Sequence, residues 1–449
     1  MSILSVDTVI GKSGQPVNFP TGITVGNGGL FGNVNYIGLA GSQGFGVGIC
    51  PSLPAGFAKM AGSEDTASDN YGNYQYSDGS VMCWIPAFYY KVGSGSNGLA
   101  VNVIGVKGIN DYIDLAAANA AGYALHRAFY NAGAIQPGAF VDKYQCSNNN
   151  GIASSLKNGN PLSSALAHNP FSGLTGLTTA DNIYAGAIKA AKTRGVKFFC
   201  NSRFIFSALA LLSLAHGQAA TSATSCAWYD AAGIRNFPKG NNNNALGDVN
   251  DTSLAFVSDG YASGNSSKTG SANFLAKTAH NGMNCGVVDL NGNIWEINIG
   301  ITSSSTGFYL LKTSADIAAL TSGAALSADL WGAPGITANY DLLGTTYESL
   351  TASNTVKYFN STAQVFSESV SGNHWAVTGA GIPLATGVST GGTNAMGNDG
   401  LWDYNPDQLC PVAGGYWSYG AGAGVWSLSL YYDLAFTSSG LGFRSALYL

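Results

Sequence analysis

The sequence predicts an α+β fold: a small, mainly β N-terminal arm, then a larger domain of short strands and helices joined by long loops. Three observations carry this. Trp426, Leu428 and Leu430 alternate with Ser427, Ser429 and Tyr431, the period of a strand with one buried face. Phe204, Ala208, Leu211, Leu212 and Ala215 recur at helical spacing, which gives one apolar helix face. Finally, 61 glycines among 449 residues and a charged fraction of only 10% depart from ordinary usage in the direction of a loop-rich chain.

Residues 1–45 form the arm. Val6-Asp7-Thr8-Val9-Ile10 and Val17-Asn18-Phe19-Pro20-Thr21-Gly22-Ile23-Thr24-Val25 read as short strands around the turn Gly11-Lys12-Ser13-Gly14-Gln15-Pro16. So small a segment has little core of its own. Pairing with copies of itself would satisfy it, and a plain linker is the alternative. Residues 46–135 form a mainly β intermediate region. It opens rich in Gly and Ser and contains Val81-Met82-Cys83-Trp84-Ile85-Pro86-Ala87-Phe88-Tyr89-Tyr90-Lys91, a half-buried strand whose aromatics belong to the core.

The third region, 136–449, begins with a strand at Phe140-Val141-Asp142-Lys143-Tyr144, followed by helices over 185–194 and 201–216. Asn201 or Ser202 caps the second helix and Gly217 ends it. His216 falls in its last turn, where dipole stabilisation or solvation is the ordinary state. In Gly286-Val287-Val288-Asp289-Leu290-Asn291-Gly292-Asn293-Ile294-Trp295-Glu296, Asn291-Gly292 makes a tight turn. Ile294, Trp295 and Ile297 build the next strand, and Asn293 and Glu296 tie loops by hydrogen bonds. More than a hundred residues rich in Ser, Thr, Gly and Ala follow, including Ser389-Thr390-Gly391-Gly392-Thr393. They read as an insertion of loops and short strands ending at Gly400-Leu401-Trp402. No repeat of solenoid length is present.

Composition excludes several functions. The net charge is -5 and no basic run exists, which speaks against nucleic acid. The seven cysteines form no CxxC pair, so zinc is not indicated and free buried thiols are expected. The N-terminus lacks the pattern of a signal peptide, and the apolar stretch 204–214 is too short for membrane insertion. The five histidines show neither HxH nor HExxH spacing. Lys12-Ser13 lacks the glycines of a phosphate loop. No cofactor is expected. Asn241 to Asn244, Asp248, Asn250 and Asp251 make an oxygen-rich loop. A solvated turn is the preferred reading, with structural calcium as the alternative, because EF-hand spacing is missing.

The C-terminal stretch 414–444 interleaves two kinds of residue. Gly414, Gly415, Trp417, Gly420, Gly424, Val425, Trp426, Leu428, Leu430, Leu434, Leu441, Gly442, Phe443 and Arg444 are framework. Tyr416, Ser418, Tyr419, Gly422, Ser429, Tyr431, Tyr432, Asp433, Phe436, Ser438 and Gly440 are small or aromatic filler, and these are the candidate ligand-binding residues. Theirs is the composition of an antibody combining site, where Tyr supplies rigid area and Ser and Gly adapt around it. Apart from tyrosines the stretch offers only Asp433 and Arg444 as titratable groups, too few for a catalytic centre. A Tyr-rich strand pair in a core is the competing reading. If each filler codon began as AAC with its adenines randomised, Lys, Glu, Gln, Met and Trp would be unreachable. Between Tyr416 and Gly440 no Lys, Glu, Gln or Met occurs, and the two Trp stand at framework positions.

Gly414-Gly415-Tyr416-Trp417, Ala423-Gly424-Val425-Trp426 and Gly442-Phe443-Arg444 resemble, in order, the variable region of diversity-generating-retroelement variable proteins. Val425 is an extra residue in the middle step. The 286–296 segment is similar to the D-x-x-G-N-V-W-E-W motif of formylglycine-generating enzymes, with Ile297 replacing the second aromatic. The arm resembles attachment segments of phage tail fibres, and residues 81–91 resemble a WIP-x-FYYK segment of phage tail proteins. The resemblance implies a C-type lectin-like domain over 136–449 with a long loop-rich insertion. It also implies a phage tail receptor-binding protein, resident in the virion tail and held to other tail proteins by the arm. Such a protein would bind a host cell-surface protein or glycan, as a homotrimer that gains avidity. A low-charge surface without a secretion signal suits a particle released by lysis. The alternatives are a bacterial surface or secreted variable adhesin, against which the missing signal counts, and a divergent formylglycine-generating-type oxidoreductase. The cysteines of that enzyme precede G-F-R, whereas here none follows Cys410.

Overall fold

Helix and strand signals in the sequence are realised as a mixed, sheet-rich architecture with five α-helices among the described residues. The computed structural model describes residues 23–25, 29–31, 34–93, 102–231, 237–304, 307–320, 336–343, 355–359, 364–391, 398–404 and 407–449. Most of the N-terminal arm lies outside them. Ile23–Val25 and Gly29–Phe31 pair as an antiparallel hairpin.

Aromatic and β-branched residues build a six-stranded antiparallel sheet in the order Phe199–Cys200, Ser445–Leu447, Gly138–Asp142, Val81–Pro86, Asn73–Tyr76, Phe57–Lys59. Phe140 stands opposite both Leu447 and Trp84. This sheet therefore joins strands from 46–135 to strands from 136–449. The segment before residue 46 also reaches the core: Ile37 and Phe45 are fully buried, and Phe45 stacks on His216 at 5.2 Å. The single strand expected over 81–91 is two strands, Val81–Pro86 and Phe88–Gly93, which enter different sheets. Pro86 has no N–H to continue the ladder and marks the break. Its aromatics are core residues, as expected: Trp84, Phe88, Tyr89 and Tyr90 are all buried.

The second large sheet has seven strands, ordered Val388–Ser389, Val356–Phe359, Gly400–Trp402, Gly424–Ser429, Val412–Gly414, Trp295–Ile297, Leu441–Gly442. The 286–296 motif, the end of the insertion and the C-terminal stretch thus meet in one sheet. Gly424–Ser429 is its middle strand and is buried on both faces. The alternation expected there, with Ser427 and Ser429 turned outward, is overturned. A central strand covered on both sides has no solvent face.

The helix expected over 201–216 is Arg203–Ala219, capped by the Ser202 side chain, which accepts the Ile205 N–H at 3.1 Å. Every residue from 203 to 217 is buried, so the helix is a core element and not an amphipathic one. Gly217 does not end it. A buried helix is held by tertiary contacts that outweigh one glycine's propensity. His216 is likewise neither solvated nor charged. It accepts the Gly41 N–H at Nδ1, contacts Ser225 O through Nε2, and burial lowers its pKa to about 4. The shorter helix expected over 185–194 is Gly186–Lys192.

Candidate ligand-binding face

Each end of the site is fixed by the motifs that flank it. Arg444 is fully buried and donates through Nε to Glu296 Oε2 (2.6 Å), through Nη2 to Glu296 Oε1, and to the carbonyls of Asp142, Lys143 and Val288. Burial opposes its charge, but Glu296 beside it more than offsets this and raises its pKa above the ordinary arginine value. Asn293 ties loops as expected. Its side chain donates to Gln145 Oε1 (2.8 Å) and accepts the Ser267 N–H (2.7 Å).

From Val412–Gly414 the chain leaves the sheet at two glycines with φ +89° and +84°. A Cβ on Gly414 would sit 2.8 Å from the Leu290 carbonyl oxygen, and one on Gly415 would sit 2.5 Å from Ala423 Cβ. Side chains are excluded there by both conformation and contact. The loop that follows hangs from two others. Trp417 N–H donates to Asn293 O, Gly420 N–H donates to Asn242 O, and Asn244 N–H donates to Trp417 O. Trp417 is half-buried, and its ring covers Gly264, where a Cβ would meet it at 2.3 Å. The Gly264 loop is clamped by His168, which bridges Asp259 (2.8 Å) and Ser263 (2.5 Å) beneath the stacked Tyr261 ring. No local pattern signals this clamp, because its members are 91 and 95 residues apart.

Residues 431–440 are pinned in the same manner. Cys410 N–H donates to Tyr432 O, Tyr184 N–H to Phe436 O, and Trp295 N–H to Gly440 O. The Thr437 hydroxyl donates to Ser164 O, while Ser438 N–H donates to Ser164 Oγ. Backbone groups hold the loop, so the identity of most filler side chains does not enter its support.

The filler aromatics come together. Trp295 stacks on Tyr416 (6.2 Å) and meets Tyr419 edge-on (5.0 Å), and Tyr416 and Tyr419 touch at 6.0 Å. Tyr431 meets Tyr432 (5.2 Å), which stacks on Phe436 (3.7 Å). Burial raises the Tyr432 hydroxyl pKa, with Tyr416 and then Tyr431 adding to it. The Tyr419 hydroxyl is raised by burial and by Tyr358, Tyr432 and Tyr416. The two halves of the stretch therefore share one electrostatic neighbourhood of neutral phenols.

The expected residues differ in access. Tyr431 is 38% exposed and Asp433 is also open, whereas Tyr416, Ser418, Tyr419, Gly422, Tyr432, Phe436 and Ser438 are partly buried. Ser429, at 3% exposure, and Gly440 are buried and are removed from the surface set. Ser429 ends the central strand between Trp402 and Val412 of its neighbours, and Tyr416 lies 3.2 Å from where a Gly440 Cβ would stand. Ser438 Oγ is turned inward to accept the Gly440 N–H. Two residues were missed by the sequence reading. Trp402 and Tyr404, which is 43% exposed, extend the aromatic row beside Tyr431 at 5.1 and 4.9 Å. Their only signal was the Leu401-Trp402-Asp403-Tyr404 alternation at the end of the insertion.

The Asn-rich loop supports the face, and most of its side-chain oxygens are already engaged, with Asn241 Oδ1 left unpartnered. Asp248 accepts from the Gly240 and Asn250 N–H groups and from Asn242 Nδ2, and Asp251 pairs with Lys277 at 2.8 Å. Lys239 adds positive charge beside both carboxylates. This donor-rich, cation-bearing setting does not fit a calcium ion, which needs several unshared oxygens. Among the described residues no cluster of three His, Cys, Asp or Glu stands in metal-ligating arrangement, and all seven cysteines are free and buried. No described helix is long and apolar enough to cross a membrane.

No protein-family model and no curated protein matches the chain. Among solved structures it is similar to the "Major Tropism Determinant P3c Variant", at 10% identity and a TM-score of 0.28. That alignment covers 89% of this chain and 73% of the other. The "Major Tropism Determinant U1 Variant" aligns at 9% identity and a TM-score of 0.27, with the same coverage. At TM-scores this low the likeness decides nothing about fold or function.

Proposed function

We propose that this chain is a receptor-binding protein of a phage tail, and that it binds a host cell-surface protein or glycan through the aromatic face centred on Tyr416, Tyr431, Tyr432 and Phe436. The observation that carries the reading is the separation of support from surface in 414–444. Backbone hydrogen bonds and buried framework residues fix the loops, while Tyr416 meets Tyr419, Tyr431 meets Tyr432, and Tyr431 and Asp433 are exposed. Exposed aromatic patches mark interaction sites, and rigid rings with few rotatable bonds lose little entropy on binding. The proposed domain is C-type lectin-like, with the variable-region resemblance as its support. Placement in the virion tail, attachment through the arm and a homotrimeric state belong to the same proposal. The proposed chemistry is binding: apart from tyrosines the stretch offers only Asp433 and Arg444 as titratable groups, and Arg444 is buried in its pair with Glu296.

The test is host-cell adsorption with thermal melting measured alongside. Tyr431→Ala removes an exposed ring and is expected to weaken attachment by about 2 kcal/mol, or ~30-fold, with the melting temperature close to that of the parent. Unchanged adsorption by Tyr431→Ala and Tyr432→Ala, with a collapsed melting temperature, would make these rings core residues and remove the assignment.

A further inference from the structure

Among the described residues, the core holds a cation with no counter-charge beside it. Arg203 is 0% exposed. Its Nε donates to Ala380 O at 2.7 Å and its guanidinium lies 5.4 Å from the Phe206 ring centre. Neither Nη1 nor Nη2 has a hydrogen-bond partner, and no carboxylate pairs with it. Of the other buried arginines, Arg194 has Asp142 and Asp78 and Arg444 has Glu296, while Arg127, without a carboxylate, spends its Nη atoms on the carbonyls of Tyr130 and Leu311. Arg203 alone of the four leaves both Nη atoms unused. Ser207, one helical turn beyond Arg203 on the same face, is also fully buried and its hydroxyl is also without a partner. Both groups converge on one point. A Cβ placed on Gly381 (φ +67°) would lie 2.5 Å from Arg203 Nη2 and 3.0 Å from Ser207 Oγ.

We propose that this place is a buried binding site for a small inorganic anion of chloride type. Arginine does not discharge by losing its proton in proteins, so burial leaves a full positive charge with unused donors, a costly state without compensation. A water molecule would accept hydrogen bonds but would leave the charge uncompensated. The N-terminus of Arg203–Ala219, a helix of 17 residues, adds its positive dipole end to the same side. The donors nearest Gly381 are Arg203 Nη2 and Ser207 Oγ, and any side chain at 381 would clash with both, so only glycine leaves these donors unobstructed. A monatomic anion suits a fully enclosed site better than a phosphate or carboxylate ligand. Burial, which pushes the Arg203 pKa down to about 9, acts in the direction that a bound anion would reverse. The site would join the long helix to the Ala380-Gly381 end of the insertion. The same helix carries Phe206, whose ring lies 3.5 Å from the Gly414 Cβ position at the base of the aromatic face. Nothing in this inference depends on which ligand that face binds.

The test compares melting of the full chain in sodium chloride and in sodium gluconate at equal ionic strength. A saturable rise of roughly 2–6 °C with chloride is expected, and it should vanish in Arg203→Met and shrink in Ser207→Ala. Crystals of the unmodified protein soaked in bromide should show an anomalous peak between the Arg203 guanidinium and Ser207 Oγ, which decides the matter if Arg203→Met does not fold. The same melting in chloride and gluconate, a chloride effect that persists in Arg203→Met, or water density without halide at that position would each overturn the proposal.

Discussion

At the scale of residues, the variable-looking stretch depends on one ion pair that it does not itself display. Arg444 and Glu296 are 148 residues apart, fully desolvated and joined by two parallel hydrogen bonds. Replacing both with apolar groups of similar shape need not be costly, but removing one leaves an unpaired buried charge. Glu296→Gln is therefore expected to lose about 3–5 kcal/mol of stability. Denaturant titration measures it, and a loss under 1 kcal/mol would show that the pair is dispensable. The tyrosines differ in kind. Tyr431 stands on the surface, while Tyr419 is wedged among Trp295, Gly415 and Gly422 and acts partly as support.

At the scale of elements, the passage from Val412–Gly414 into the face depends on backbone that only glycine adopts comfortably. Gly414→Ala would force a left-handed φ on a residue with a Cβ and push that Cβ against Leu290 O. The expected cost is about 1–3 kcal/mol, with adsorption reduced as well, because the loop bearing Tyr416 would shift. Melting and adsorption measured together check this. A variant with parental values in both would show that the turn has other solutions. The capped N-terminus of Arg203–Ala219 is an independent support beneath the same turn, through Phe206.

For the whole molecule, three buried histidines make stability depend on pH. Burial lowers His216 to about 4 and His126 and His280 to about 3, from an ordinary value of 6.5. Folded values below the unfolded one mean that the unfolded chain takes up protons first. Their contribution is complete above pH 6.5 and is lost as pH falls towards 4, at up to about 1.4 kcal/mol per pH unit for each histidine. Asp289, pushed up to about 6 by burial, acts in the opposite sense: its contribution is present below the ordinary carboxylate value and is lost as pH rises through 6. Asp399, held well above the ordinary carboxylate value by burial, and Asp248, also raised, act in the same sense as Asp289. The histidine effect sets in only below pH 6.5, where three imidazoles act together, so the melting temperature should fall on acidification from pH 6.5 to pH 5. A flat profile would contradict the buried neutral state of these rings. Assembly is the second property at this scale. Because Ile37 and Phe45 belong to the core, the arm is best removed by starting the chain at Val34. Light scattering is expected to show fewer chains per particle for that truncation than for the full chain, and equal numbers would mean that residues 1–33 do not drive assembly.

Local chemistry was legible in the sequence wherever it suffices. Glycines at 414 and 415, the positive φ at Gly292, the helix beginning after Ser202 and the filler-framework interleaving all follow from conformational freedom, capping and periodicity. The sequence also singled out the residues of the proposed surface, since Tyr, Ser and Asp interleaved with apolar framework have the composition of a binding site. Which of them face solvent was decided by tertiary structure alone. Ser429 alternates with apolar neighbours like an exposed residue, yet its strand is the fourth of seven and is covered on both sides. His216 and Gly217 carry the signals of a helix end, yet burial continues the helix past them. Trp402 and Tyr404 join the face from another segment, and Arg203 loses its solvent without gaining a partner for either Nη atom. Burial is set by what lies across the core, hundreds of residues away in the chain, and no local pattern carries that information.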